Sequence, residues 1–243
     1  MTRIKSAFYA KTGGRSADLW SILHPPYTIW NMSYAAIGAS LAESINWMIL
    51  FWTLLAFFLG TGIASHALDE LKGRPLKTGF SDRELLSFSI AALAACFILA
   101  LVASFILTPW IMAFAALGIL LVVGYALEWA QGLVHTDLGF ALSWGGFPVI
   151  VGYFAQEKSI SAAALLAAAA AVFYSLAQRK LSTPARFVRR STRNAKVLFE
   201  SAEGNTEWDL THLLSTWEDP LKKMCWSIFL LALGLLALHQ LGE

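Results

Sequence analysis

The sequence predicts an all-α protein, a polytopic bundle of about seven transmembrane helices, and three observations predict it. Of 243 residues, 57% are hydrophobic and 14% charged, and the mean hydropathy is +0.59, more apolar surface than one soluble core of this size can absorb. The apolar residues come in long runs near the roughly 20 that cross a hydrocarbon core. The basic residues sit in alternate connections between those runs, as they do in membrane proteins of fixed orientation.

Taken in order, the runs are 27–41, 46–65, 85–107, 110–127, 138–155, 160–176 and 224–239. Backbone polar groups in lipid must be satisfied within the segment, and the alternating pattern of a barrel strand is absent, so each run is expected to be a helix. Short connections around Glu43-Ser44, Thr108 and 156–159 mark one face, and long polar ones mark the other. With the N-terminus in the cytoplasm, the inside segments 1–26, 66–84, 128–137 and 177–223 hold every one of the 18 Lys and Arg residues except Lys158. A missed or extra span would scatter these charges over both faces.

The expected location is therefore a cytoplasmic, inner-type membrane, with the C-terminus external. Residues 1–23 lack an apolar core, so a removed signal peptide is not expected. Cys96 and Cys225 fall within spans and read as small packing residues. The organisation expected is a cytoplasmic segment 1–26, a six-span core 27–178, a cytoplasmic loop 179–222, and the last span with the C-terminus, 223–243.

The loop after the sixth span is long enough to carry structure of its own. Ser182-Thr183-Pro184 predicts a helix start, a hydroxyl cap followed by proline in the first turn. Arg186, Arg189, Arg190 and Arg193 then follow at i, i+3, i+4 and i+7 and share one face. Such a stripe contacts anionic lipid headgroups or holds a phosphate through bidentate guanidinium groups. Leu210, Leu213, Leu214, Trp217 and Leu221 predict a second, amphipathic helix on the membrane surface or over a cavity.

The exit of the second span carries the most chemistry. As a helix it sets His66, Asp69 and Glu70 at i, i+3 and i+4, either a polar helix end emerging into water or half of a divalent-metal site. Carboxylates suit Mg²⁺, which keeps waters and bridges to substrate phosphates. Glu128, His135 and Asp137 read as a solvated loop or as further metal ligands.

The stretch Ala64-Ser65-His66-Ala67-Leu68-Asp69-Glu70-Leu71-Lys72-Gly73-Arg74-Pro75 resembles the first aspartate-rich motif of the UbiA-type intramembrane prenyltransferase superfamily. Asp69 and Arg74-Pro75 match that motif, Ser65-His66 stand for its Asn-Asp, and Gly73 replaces its third aspartate. Tyr125, Gly139, Gly145-Gly146, Pro148 and Gly152-Tyr153 are similar to the family's following loop and helix, with Glu128 where a lysine is usual. The segment around His24-Pro25 and Asn31 resembles the family's first helix. After the sixth span the chain has no acidic residue where the family carries its second motif, and two further family helices have no counterpart, so the chain would be a divergent, shortened member.

The resemblance implies a UbiA-like bundle and a prenyltransferase that transfers an alkyl group from a polyprenyl or related lipid diphosphate to an acceptor. It implies Mg²⁺ held by Asp69 and Glu70 with His66, phosphate contacts from Lys72, Arg74, Asn31 and the arginine stripe, and Tyr125 facing the reacting carbon. Two other classes stay open: a non-catalytic lipid-binding or assembly scaffold, or an intramembrane enzyme of cyclase or other metal type. Membrane lipids are expected partners, and nucleic acid is not.

Overall fold

The computed structural model describes residues 5–129 and 135–241. A short helix α1, Arg15–Ile22, precedes α2, Pro25–Ser40. The long helix α3, Trp47–Gly73, follows, then α4, Asp82–Ile106, and α5, Trp110–Ala126. Beyond it lie α6, Asp137–Glu157, and α7, Ala162–Ser191. A hairpin of β1, Lys196–Ser201, and β2, Gly204–Asp209, leads into α8, Leu210–Leu241.

Helix starts are written in side chains. Asn46 accepts hydrogen bonds from Met48 N and Ile49 N, both at 3.1 Å, at the head of α3. Ser81 and Glu84 form a reciprocal capping box on α4, and Thr136 and Ser161 cap α6 and α7. Each such cap satisfies amide donors that a helix end leaves unpaired.

Among the described residues, five helices are long and apolar enough to cross a membrane: α3, α4, α6, α7 and α8. The remaining two apolar runs form the shorter α2 and α5, of 16 and 17 residues. The outer faces of α4 and α5 confirm the environment, since Ile90, Phe97, Ile98, Phe105, Ile106, Trp110 and Leu120 all point outward and exposed. A contiguous apolar surface of this kind belongs in lipid, and the chain is an integral membrane protein.

The core lies where α2 packs between the second half of α6 and α8. Two glycines allow the closest approach. A Cβ on Gly38 would stand 2.0 Å from Val149 O, and one on Gly152 2.0 Å from Ala35 O. The backbones of α2 and α6 therefore touch, as small residues permit in membrane bundles. At the far end of the same seam His239 Nε2 donates to Ser40 O at 2.8 Å, tying α8 to the end of α2.

The region after the sixth span departs from expectation. No helix starts at Ser182: α7 runs on to Ser191 with Pro184 inside it. An interior proline costs about 3 kcal/mol, but continuing the helix buries Ala185 and Val188 against Leu210 and Leu214 of α8. Likewise the amphipathic helix and the last span are one element, α8, running through Pro220. Residues 196–209 form an antiparallel hairpin, with Val197 opposite Trp208. Arg193 lies beyond the end of α7 and so leaves the stripe.

Candidate functional site

Within α3 and α6 the regular helix opens into π-helical turns, at Phe58–Ser65 and at Leu142–Gly146. Such turns loosen the backbone ladder and often mark functional positions. Asn31 of α2 joins the two. Its amide donates to Trp144 O, and its carbonyl oxygen accepts from Thr61 Oγ1, each at 3.0 Å.

Thr61 and Trp144 stand in the walls of two cavities. One, of about 630 Å³, is a polar chamber at the basic end of the bundle, walled by the ends of α3, α5 and α7 and covered by the N-terminal segment. The other, of about 510 Å³, is an apolar groove between α3, α4, α5 and α6, lined by residues such as Leu93, Leu99, Phe114, Ile119 and Phe147. A molecule with a polar head and a long apolar tail fits this pair of spaces.

The chamber gathers many of the residues singled out in sequence. Asn31, His66, Asp69, Lys72, Tyr125, Glu128, His135, Arg186, Arg189 and Arg190 all line it. His66 stacks on His24, with ring centroids 3.9 Å apart, and donates from Nδ1 to Gly62 O at 3.3 Å. The Tyr9 ring, from the covering segment, lies 4.9 Å from the His24 ring, centroid to centroid. Tyr125 stacks on His135 at 4.4 Å and lies within 6.0 Å of Phe140 and 5.7 Å of Trp144.

Burial holds the His24 imidazole well below its ordinary value of 6.5, the nearby His66 and the Arg190 and Arg186 charges adding to the shift, so it is neutral at physiological pH. Burial also raises the Tyr9 phenol, which stays protonated. Glu128 is held below the usual carboxylate range by the Lys72 ammonium, 2.7 Å away.

Four expectations about site residues are corrected. Glu70 faces away from the chamber and is fully buried; its carboxylate accepts from Leu76 N at 2.9 Å, Thr78 N at 2.8 Å and Thr78 Oγ1 at 3.0 Å. Those bonds fold the turn after α3, and Glu70 is not among the residues lining the chamber. Arg74 adopts left-handed backbone, φ 49°, and donates to Phe80 O and Asp82 instead of reaching the chamber. Asp137 is paired with Arg179 at 2.9 Å and lies outside the lining. Arg189 reaches the wall but is committed to the buried Glu218 carboxylate and to Lys5 O.

Among the described residues, Asp69 is therefore the carboxylate lining the chamber that forms no ion pair, and Arg186 and Arg190 are the lining guanidinium groups that form none. Among the described residues no three His, Cys, Asp or Glu side chains converge as a metal site. One carboxylate beside two stacked imidazoles is a poor set for Mg²⁺, which prefers several oxygen ligands. The Mg²⁺ half-site of His66, Asp69 and Glu70 is thus not assembled from protein groups.

Sequence reasoning missed Tyr9, Tyr27, Gln178, Arg179, Ser182 and Glu218, all of which line the chamber. For Gln178, Ser182 and Arg186 the signal was present, since they recur at i, i+4 and i+8. Placing a helix start at Ser182 hid it. Comparison with protein-family models, with curated proteins and with solved structures finds no match to this chain.

Proposed function

We propose that the chain is a UbiA-like membrane prenyltransferase of seven spans that binds a polyprenyl or related lipid diphosphate at the cytoplasmic face. The observation that carries this reading is the meeting of the polar chamber with the apolar groove at Thr61 and Trp144. The diphosphate lies in the chamber against Arg186 and Arg190, and the tail follows the groove. The basic residues at the chamber end fit a cytoplasmic N-terminus and an external C-terminus.

In the reaction the bond between the tail and the diphosphate breaks with its electron pair leaving on the diphosphate, where negative charge develops, and the tail carbon bonds to a nucleophilic acceptor that gives up a proton. Two guanidinium groups in a partly dry pocket stabilise that charge, and fixed donors of this kind carry much of such catalysis. On a prenyl substrate the carbon left behind is cationic, and Tyr125, Phe140 and Trp144 offer it aromatic faces. Asp69 would be the chamber carboxylate open to Mg²⁺ arriving with the diphosphate, and no step here depends on that ion.

A specific observation favours a second reading, a lipid-binding scaffold without catalysis. Glu70, which would have been the second acidic ligand, is wholly occupied in folding the turn after α3. Geranylgeranyl diphosphate binding and turnover in phosphatidylcholine nanodiscs, with and without Mg²⁺, separate the two. Binding with release of diphosphate supports the enzyme, and binding without release supports the scaffold. No binding under either condition overturns the lipid-diphosphate reading.

A further inference from the structure

Residues 5–14 carry two adjacent aromatic rings, Phe8 and Tyr9, between the small residues Ser6, Ala7 and Ala10. They form neither helix nor strand and lie over the chamber, which Ala7, Phe8 and Tyr9 line. Contacts with other elements hold them there. Arg189 donates to Lys5 O at 3.1 Å, Trp20 Nε1 donates to Tyr9 O at 3.1 Å, and Lys11 N donates to Ser21 Oγ at 2.9 Å. Ala7 and Ala10 bury against Leu76. A segment without a backbone ladder of its own sits at the low end of local stability, so a single added bond matters to it.

The Tyr9 ring is fixed by its neighbours, with centroids 4.9 Å from His24, 5.6 Å from Tyr27 and 5.2 Å from Phe8. Its oxygen is not. Among the described residues no group hydrogen-bonds to the Tyr9 hydroxyl, and it is not one of the side-chain atoms sealed in the bundle without a partner, so the chamber reaches it. The charges that act on it are those of Arg190, Arg186 and Asp69, and Arg190 in turn senses Arg186, Tyr9 and Asp69.

These groups surround one space. The phenol stays protonated and so offers a donor beside guanidinium groups that only donate. A diphosphate presents acceptor oxygens, and bonds from such donors to ionised oxygens are the strong ones. A residue placed only to cover the cavity would need the ring and not the oxygen. We propose that the Tyr9 hydroxyl completes the diphosphate site, donating to a phosphate oxygen held between Arg186 and Arg190, and that this bond fastens residues 5–12 over the loaded chamber. The inference rests on the lipid-diphosphate reading above and adds to it a binding residue and a cover that closes on the charged head.

The test titrates the full-length protein in phosphatidylcholine nanodiscs with geranylgeranyl diphosphate. Tyr9→Phe deletes the oxygen and keeps the ring against His24; it should weaken binding about tenfold, the effect of one hydrogen bond to a charged group. The thermal midpoint without ligand should not change. At saturating ligand, amide hydrogen exchange in residues 5–12 should slow in the wild type and not in Tyr9→Phe. Wild-type affinity in Tyr9→Phe, or protection that survives in it, would overturn the inference and leave the lipid-diphosphate reading standing. A lower midpoint of the unliganded variant would also overturn it, by assigning the hydroxyl to folding. Failure of the wild type to bind geranylgeranyl diphosphate would instead overturn the reading on which the inference rests.

Discussion

The two halves of the bundle are packed on different principles. Along the seam of α2, α6 and α8, backbones touch at Gly38 and Gly152, and side chains fill what remains. Between α3, α4, α5 and α6 the helices stand apart around an apolar groove. Asn31 and the two π-helical turns lie where the halves meet. The difference separates two tasks: one half fixes the chamber wall, and the other leaves room for a tail.

The sharpest way to break that contrast is to place a side chain in the seam. Gly152→Leu drives a branched group into the Ala35 carbonyl, where even a Cβ has no room. Overpacking against backbone should cost about 3 kcal/mol or more, visible as loss of monodisperse protein in size-exclusion chromatography. Retention of wild-type thermal stability would show that the seam is looser than described.

A second contrast sets Glu70 against Asp69. Glu70→Ala strips the partner from two backbone amides and a hydroxyl, and should destabilise by about 3 kcal/mol at roughly 1 kcal/mol or more for each orphaned donor. Asp69→Asn breaks no hydrogen bond or ion pair among the described residues and should lie within about 0.5 kcal/mol of wild type. Denaturation midpoints of the two variants in the same detergent decide whether the neighbouring carboxylates have divided the work in this way.

In the groove the expectation reverses. Ala115→Trp fills space instead of displacing backbone, so stability should change by less than about 1.5 kcal/mol. Affinity for geranylgeranyl diphosphate should fall about tenfold if the tail uses the groove, while inorganic diphosphate binding stays constant. Equal losses for both ligands would remove the groove from the site.

The smallest effect expected is one of pH. The depressed His24 group is neutral in the folded protein and protonates more readily when unfolded. Its contribution to stability is therefore fully present above about pH 6.5 and is lost progressively as pH falls below that value. His24→Gln should flatten that part of the stability profile, and an unchanged slope would show that His24 is not buried as a neutral ring.

Much of this organisation was legible in the sequence, and the gaps have physical causes. Each apolar run did become a helix, because in lipid the backbone has no other partner. Asp69 and Arg186, which line the chamber, were singled out by helical spacing, and Tyr125, which also lines it, by the family resemblance. Glu70 was misjudged because helical spacing shows which residues share a face, but not that amides eight residues on will fold back onto a carboxylate. Pro184 was read as the first turn of a new helix, whereas it lies inside α7, its local cost outweighed by burial of Ala185 and Val188 against Leu210 and Leu214.

The bond from His239 to Ser40 O spans 199 residues, and it bears on the order of assembly. The face of α2 that accepts α8 has no partner until the last helix has been made. Docking of α8 on α2 is thus a closure step across 199 residues. Such long-range closure is the slow part of folding. Until it occurs, Trp30 and Tyr34 lack the neighbours that α8 supplies to their cluster, so a nascent chain stopped before residue 210 would carry an open apolar flank on α2.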